Sequence, residues 1–255
     1  AKHLIKNQSS VDIVTDKRGF KFLKNYQDIK LKVISSATIF TKNPITMIVS
    51  LIKIKLAFIS SLIFLFKSKP NIVFGMGGYS SFPVCIAAKI LNIPFIIYEN
   101  NLIIGKANKF LLPFAHKIFV SSLDLEGIKR KHEDKKIEIG NIVREEIVNF
   151  NASSSYSKKD VVSILIVGGS QAAKSFAEIL PHVFQRCVKE GIKLKIYQQC
   201  LLSQKDELDT KYRLLNIEFE LFNFNYNLLN YFSKIDLAIT RSGSSMLAEF
   251  LNCKV

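Results

Sequence analysis

Short apolar runs alternate with longer amphipathic segments along most of the chain. In the second half this pattern predicts strands at 162–167, 194–197, 217–221 and 237–240, and helices at 171–190, 228–232 and 245–251. In the first half it predicts strands at 11–14, 31–36, 72–74, 94–100, 117–122 and 137–139, helices at 46–66 and 82–91, and a helix broken near Pro113. Runs of β-branched residues and leucine such as 162–167 are typical of strands buried on both faces.

The alternation of strand and helix predicts the fold class, which is α/β with two doubly wound, Rossmann-like domains. The segment 150–160 is polar and rich in serine, as linkers are. We therefore expect an N-terminal domain over 1–143, a linker over 144–160 and a C-terminal domain over 161–255. Ligands of such sheets bind outside the carboxyl ends of the strands.

Three junctions of strand, glycine and helix recur, at 71–81, 161–174 and 235–245. In the second, Ser170 is predicted to cap a helix that begins near Gln171. Unpaired backbone N–H groups and the positive end of the helix dipole favour an anion such as a diphosphate there. The alternative is a plain tight corner, since none of the three has P-loop or clean GxGxxG spacing. Three junctions in one chain favour a nucleotide-type ligand.

The apolar segment 46–66 is interrupted by Lys53 and Lys55, so we expect that it does not span a membrane. A long helix docked on a sheet explains much of it. Its apolar residues nevertheless lie on nearly every side, and lysines flank it. We therefore also expect residues 42–69 to rest on an anionic membrane surface.

The chain of 255 residues carries 36 Lys and Arg against 21 Asp and Glu, a formal charge of +15. No interleaving of aromatic and basic residues accompanies this charge, so we expect no nucleic-acid partner. The four cysteines lack CxxC spacing or a histidine partner. They are expected to be buried thiols rather than metal ligands, and no metal site is predicted.

Five ordered motifs are GMGGYSSFP (75–83), YENN (98–101), GNIVR (140–144), VGGSQAAK (167–174) and TRSGSSMLAE (240–249). Through them the chain resembles the MurG family of glycosyltransferases over essentially its whole length. The resemblance implies the GT-B architecture and the transfer of GlcNAc from UDP-GlcNAc to the 4-hydroxyl of MurNAc in lipid I. The anomeric centre is inverted, and the product is lipid II of peptidoglycan synthesis.

The resemblance also implies the partners of the chain. UDP-GlcNAc is a substrate, and no cofactor is expected. Lipid I is the acceptor, and cell-wall synthesis proteins are candidate partners. The enzyme would be peripheral, on the cytoplasmic face of the bacterial inner membrane.

For the donor, Glu249 lies six residues past Gly243, roughly 9 Å along a helix, which matches the reach from a diphosphate to its ribose. Arg144 is expected to donate to uracil or a phosphate, with a linker arginine as the alternative. Phe224 is expected against uracil unless it is a core residue, and the NYN that follows it departs from the family's usual acidic pair. The complete donor set is Arg144, Ser170, Gln171, Gln199, Phe224, Gly243, Ser244, Ser245 and Glu249.

For the acceptor, Gly77, Gly78 and Tyr79 resemble the family's second glycine loop, which is implied to hold the acceptor diphosphate. Glu99 and Asn101 end a predicted strand where acceptor hydroxyls would arrive. The alternative for Glu99 is helix capping.

No catalytic base is assigned. The histidines at 3, 116, 132 and 182 lie away from the glycine turns, and the family's GTGGH-type loop does not occur in this sequence. We therefore expect a fragment that lacks both termini of a complete enzyme and that does not turn over by itself. The competing interpretations are a UDP-GlcNAc 2-epimerase-like enzyme and a non-catalytic subunit that binds a UDP-sugar.

Overall fold

The computed structural model of the chain describes residues 1–23, 29–35, 44–150, 160–223 and 228–254. They form two compact units, Ala1–Gly140 and Asn141–Val255. Each unit has its own parallel sheet and its own buried core. The predicted fold class, two Rossmann-like α/β domains, is confirmed. The linker over 144–160 stays a prediction, because residues 151–159 lie outside the described part of the chain.

The first unit is built around a parallel sheet whose strands follow one another in chain order, β3-β4-β5-β6. Two further strands, β1 and β2, pair in parallel as a separate small sheet. The strands are β1 Asp12–Thr15, β2 Lys30–Val33, β3 Val73–Gly75, β4 Phe95–Glu99, β5 Lys117–Val120 and β6 Lys136–Glu138. The helices are α1 Lys2–Lys6, α2 Lys17–Leu23, α3 Pro44–Ser68, α4 Gly78–Ile90 and α5 Lys106–Leu111, with a 3-10 turn at Arg130–Lys135.

Helix α3 packs against α4, and its residues Ala57 and Leu65 share a core cluster with residues of strands β3 and β4, so one side of the helix is buried in the core of the unit. That side carries Ala57, Ser61 and Leu65, which are almost completely buried and recur every four residues. The opposite side is apolar and exposed along its length. It carries Ile52, Leu56, Ile59, Ile63 and Phe66, with exposed fractions from 42 to 66%.

Among the described residues, Thr46–Ser68 is the one helix whose length and composition would suffice to cross a membrane. At about 100° per residue, Lys53 and Lys55 fall on the two flanks of its exposed stripe. Both lysines are exposed.

Strand β3 and helix α4 approach each other closely at Gly75. A Cβ added there would lie 2.7 Å from Cys85 Sγ, so the contact requires glycine. Burial raises the pKa of the Cys85 thiol to about 12, which keeps it neutral as an apolar packing group. This contact fixes where the glycine turn after β3 begins.

The second unit has the sheet order β10-β7-β8-β9, with all pairs parallel. Its strands are β7 Val161–Val167, β8 Lys193–Gln199, β9 Glu218–Phe222 and β10 Leu237–Thr240. Its helices are α6 Glu145–Val148, α7 Gly169–Lys189, α8 Lys205–Leu214, α9 Leu229–Phe232 and α10 Ser244–Asn252, with a 3-10 turn at Leu202–Gln204.

Strand β7 is buried on both faces, as its unbroken apolar run predicts. Ile164 and Ile166 belong to one core cluster of the unit, and Leu165 and Val167 belong to the other. Successive side chains of a strand point to opposite faces, so β7 joins the two clusters. The second cluster also contains Ile147 of α6, which is completely buried. Helix α6 therefore belongs to the second unit, although it lies in the predicted linker range.

Several elements differ from the sequence expectation, and helix α2 is one that was not predicted. Helix α7 begins at Gly169, with Gly168 as its N-cap, so the prediction that Ser170 caps it is wrong. Helix α8 was not predicted, because its only buried residues are Leu208 and Tyr212, one turn apart. Its outer side is charged and is supported by the pairs Glu207–Lys211 and Asp209–Arg213 at i,i+4 spacing.

Candidate functional site

A cavity of about 520 Å³ opens at the carboxyl edge of the sheet in the second unit. The last residue of every strand lines it, namely Val167, Gln199, Phe222 and Thr240. The rest of the lining is Gly168, Leu228, Arg241, Ser242, Gly243 and Met246. This is the edge where parallel α/β sheets bind ligands, and the volume lies within the usual range of ligand sites.

Two helices begin at this cavity, α7 after Gly168 and α10 after Gly243. They come from adjacent strands, because β10 pairs with β7. The N–H groups of a helix's first turn lack intrahelical acceptors, and within the described residues no side chain caps either helix. Both helix dipoles therefore direct positive potential to one cavity, which favours an anionic ligand.

The floor of the cavity is held by Gln199, at the end of β8. Its Oε1 accepts from the backbone N–H of Gly168 at 3.2 Å, and its Nε2 donates to the carbonyl of Asn223 at 3.1 Å. One amide thus ties together the ends of β7, β8 and β9. A phosphate at the Gly168 turn would compete with Gln199 for that N–H.

Arg144 and Glu249, 105 residues apart in sequence, form a two-point ion pair. Arg144 donates from Nε to Oε1 of Glu249 at 3.2 Å and from Nη2 to Oε2 at 3.0 Å. The side chain of Glu249 is 15% exposed and that of Arg144 46%. Met246 lines the cavity one helical turn before Glu249, on the same side of α10.

The structure places part of the predicted donor set at the cavity, while Arg144 and Glu249 pair with each other and are not among the residues that line it. Gln199 and Gly243 line the cavity, Ser244 and Ser245 form the first turn of α10, and Arg144 pairs with Glu249. For Ser170 and Gln171 the backbone is described, and it lies in the first turn of α7. Phe224 and the NYN that follows lie outside the described residues.

Sequence reasoning assigned no role to most of the residues that line the cavity, and four of them lie at or just after the ends of strands. Thr240, Arg241 and Ser242 fell inside a quoted motif without being assigned a role, and Phe222 was not considered. Their position in the chain could have identified them, because each of them ends a strand or lies within two residues of the end of one.

In the first unit, the glycine turn lies between β3 and α4. Gly77 and Gly78 have φ of 77° and 76°, values that L side chains rarely adopt. Gly77 is the N-cap of α4, and Tyr79 stands in the first turn with 40% of its surface exposed. The three predicted residues thus form one helix start with accessible space around it, since a Cβ at Gly78 would meet nothing within 4 Å.

Glu99 ends β4 and is only 4% exposed. Its Oε1 accepts from the backbone N–H and the side chain of Asn101, at 3.2 and 2.8 Å. Its Oε2 accepts from the N–H of Gly105, the N-cap of α5, and from Nδ2 of Asn108, at 2.8 and 3.0 Å. A carboxylate has about four acceptor positions, and all of them are occupied here.

Asn108 is a residue that the sequence analysis missed. It is 3% exposed, and its Nδ2 donates to both the Tyr98 carbonyl and Glu99. The same nitrogen would lie 3.6 Å from a Cβ on Gly77. Asn108 therefore links the end of β4 to the glycine turn after β3. Helix α5 (KANKFL) also carries Lys106 and Lys109, so the sequence offered no signal that separates Asn108 from a polar surface residue.

None of the four histidines lines the cavity or joins the Glu99 network. Within the described ranges, no group of three or more His, Cys, Asp and Glu side chains is arranged to hold a metal ion.

Comparison with known proteins places the chain among glycosyltransferases. Residues 1–120 match the glycosyltransferase family 28 N-terminal domain, and residues 163–255 match the corresponding C-terminal domain. A protein from Pelagibacter ubique (strain HTCC1062) is 36% identical over 249 residues, which cover 97% of this chain and 68% of that protein. It is named UDP-N-acetylglucosamine--N-acetylmuramyl-(pentapeptide) pyrophosphoryl-undecaprenol N-acetylglucosamine transferase.

Solved structures agree. MurG from Acinetobacter baumannii superposes with a TM-score of 0.68 at 25% identity, covering 98% of this chain and 68% of that one. A UDP-GlcNAc 2-epimerase from Neisseria meningitidis, bound to UDP-GlcNAc, superposes with a TM-score of 0.52 at 17% identity, covering 92% and 78%. The second likeness shows the shared fold alone.

Proposed function

The chain belongs to the MurG family of glycosyltransferases, and on that premise we propose how its two units bind the substrates. Its function is that of an N-acetylglucosaminyltransferase of peptidoglycan synthesis, which takes GlcNAc from UDP-GlcNAc and adds it to lipid I to give lipid II. Attack by the 4-hydroxyl of MurNAc with inversion is part of the proposal.

The second unit binds UDP-GlcNAc. The supporting observation is the cavity at the sheet edge, where the starts of α7 and α10 converge. The diphosphate binds at the first turn of α10, at Gly243, Ser244 and Ser245, and Glu249 accepts from the ribose hydroxyls. Ser170, Gln171 and Gln199 complete the donor site, while Phe224 is proposed against the uracil.

Calorimetry on the 255-residue chain tests this donor site. UDP and UDP-GlcNAc should bind, and UMP should bind more weakly because it lacks the second phosphate. The inverting step also needs donors at the departing diphosphate, which the two helix starts would supply. Equal affinity for UMP and UDP would contradict the placement of the diphosphate.

The first unit binds the acceptor. We place the acceptor diphosphate at the start of α4, on Gly77, Gly78 and Tyr79, where exposed helix N–H groups face open space. Asn101, which is exposed, is proposed to contact the acceptor, and Glu99 to hold the loop that presents it.

The exposed stripe of α3 rests on the membrane that contains lipid I, at the cytoplasmic face of the bacterial inner membrane. An apolar stripe flanked by exposed lysines is the pattern of a helix lying in a membrane interface. Lys67 and Lys69, exposed at the end of the helix, add attraction to anionic lipids, each worth about 1 kcal/mol near the surface.

Vesicle sedimentation tests the membrane proposal. The chain should bind vesicles with anionic lipid and be released as salt rises, and replacing Lys67 and Lys69 by Glu should weaken binding without unfolding. The matched control replaces Lys193 and Lys211, which lie in the second unit. Equal binding to neutral vesicles would contradict the electrostatic part.

The 255-residue polypeptide by itself is proposed to bind donor without appreciable transfer. Removal of a proton from the attacking hydroxyl contributes about 10²–10⁴-fold, and the one buried carboxylate at the acceptor turn, Glu99, already has its acceptor positions filled. Incorporation of labelled GlcNAc into lipid II should be restored by a polypeptide extended with a GTGGH-type loop. Turnover by the short chain that disappears in Glu99→Gln would make Glu99 the base instead.

A further inference from the structure

We propose that Arg144 is a positioning residue: it orients the carboxylate of Glu249 to accept both ribose hydroxyls of UDP, and thereby sets the preference for a ribonucleotide. This inference rests on the proposed contact between Glu249 and the ribose. It gives Arg144 a different role from the contact with uracil or phosphate that the sequence predicts.

The two-point geometry is the first support. Arg144 contacts both oxygens of Glu249, one through Nε and the other through Nη2, at 3.2 and 3.0 Å. A planar guanidinium bound in this way fixes the plane of the carboxylate, which a single contact would leave free to rotate. Each oxygen keeps acceptor capacity on its other side, since a carboxylate has about four acceptor positions and Arg144 takes two. A carboxylate held in a fixed plane can accept a hydrogen bond from each of the two neighbouring hydroxyls of a ribose.

The scaffold beneath Arg144 is the second support. Arg144 is the N-cap of α6, and Ile147 of that helix is completely buried in the same core cluster as Phe250 of α10 and Cys253, the C-cap of α10. Helices α6 and α10 thus share one packed core, so the backbone positions of Arg144 and Glu249 are fixed relative to each other. The ion pair joins two rigid elements of the unit.

The small energy expected of the pair is the third support. The Arg144 side chain is 46% exposed, and ion pairs this accessible contribute little to folding stability. A two-point contact that adds little stability, on a helix whose Met246 lines the cavity one turn before Glu249, is consistent with orientation of the carboxylate. The same structure holds a matched pair away from the cavity, Arg213 with Asp209, which also meets its carboxylate at both oxygens.

The test compares the affinities of UDP and 2′-deoxy-UDP by calorimetry. The unmodified chain should prefer UDP roughly tenfold or more, and Glu249→Ala should abolish that preference. Arg144→Ala and Arg144→Gln should each reduce the preference several-fold. Arg144→Lys should fail to restore it, because an ammonium cannot bind both oxygens in a fixed plane. Arg213→Ala should leave the preference unchanged.

The outcomes separate this inference from the donor site on which it rests. If Glu249→Ala keeps the preference for UDP, the proposed ribose contact is wrong. If Glu249→Ala abolishes the preference while both Arg144→Ala and Arg144→Gln retain it, only the positioning role is wrong. If the Arg144 variants weaken UDP and 2′-deoxy-UDP equally, Arg144 contacts the phosphates or uracil, and the positioning role is again overturned. Circular dichroism and thermal melting of each variant verify that it is folded.

Discussion

The sequence predicts the same kind of role for Glu99 and Glu249, but the two side chains differ in burial and in the number of their hydrogen-bond partners. Each is a glutamate predicted to meet the hydroxyl groups of a substrate, Glu99 in the acceptor unit and Glu249 in the donor unit. Glu99 is 4% exposed and accepts from four groups of the chain itself. Glu249 has a 15% exposed side chain and a two-point contact with one arginine.

The difference shows that burial and the number of hydrogen-bond partners can distinguish a structural carboxylate from one that binds a ligand. A saturated, buried carboxylate organises the backbone around it, because each donor it satisfies would otherwise be unpaired. A carboxylate with spare acceptor positions beside a cavity remains available to a ligand. In this chain Glu99 resembles the first kind, close to the helix-capping alternative, and Glu249 resembles the second.

The largest effect should come from Glu99→Ala. Removing this buried carboxylate takes the acceptor from the N–H of Gly105, from the backbone and side chain of Asn101, and from one N–H of the buried Asn108 amide, so the free energy of unfolding should fall by about 3–5 kcal/mol. Urea unfolding measures it, and Glu138→Ala, at an exposed position of β6, is the control. A variant as stable as the unmodified chain would refute the structural role of Glu99.

Glu249→Ala should affect ligand binding and leave the fold nearly unchanged. UDP affinity should fall by about 1.5–3 kcal/mol, the usual contribution of hydrogen bonds to a charged group. Stability should change by less than about 1 kcal/mol, because the side chain of Arg144 is 46% exposed and water can solvate it once Glu249 is removed. Calorimetry and urea unfolding together measure both quantities. A large loss of stability with unchanged UDP affinity would reverse the contrast between the two glutamates.

The glycines of the two turns should also respond differently. Gly78→Ala places an L side chain at φ 76° and should cost about 1–2 kcal/mol of stability. Gly243 has φ −76° and open space around its Cβ position, so Gly243→Ala should be neutral or stabilise by up to about 1 kcal/mol. Thermal unfolding ranks the two variants. If Gly243→Ala also weakens UDP binding, the ligand occupies the open space around the Cβ position of residue 243.

A small loss of stability should come from Asn101→Ala. Only its side-chain hydrogen bond to Glu99 is lost, while its backbone N–H still donates, so stability should fall by about 1 kcal/mol. Asn101→Asp is the companion variant, because it sets a second negative charge beside Glu99 and should cost more. Unchanged stability of Asn101→Ala would mean that the contact contributes no stability, and an equal loss in both variants would mean that the added charge has no cost.

Much of the fold could be predicted from local pattern. The strand of 162–167, the glycine turns, and the helices after them follow from side-chain periodicity and from residues that favour or break each element. Helix α8 escaped prediction because its buried side has only Leu208 and Tyr212. The start of α7 was misplaced because Ser170 is a good cap in general, while the backbone already turns at Gly168.

Within the candidate site, the spacing of strands, glycines and helices in the sequence identified the glycine turns, and the motifs shared with the family identified Arg144, Gln199 and Glu249 as residues of interest. Tertiary structure decided how they meet. The pairing of β10 with β7 brings the ends of strands far apart in sequence to one cavity, and strict alternation of strand and helix does not specify that order. Packing between distant segments also decides the contact of Asn108 with Glu99 and that of Arg144 with Glu249. Burial and hydrogen-bond partners depend on which strands and helices become neighbours, and the sequence pattern does not specify this.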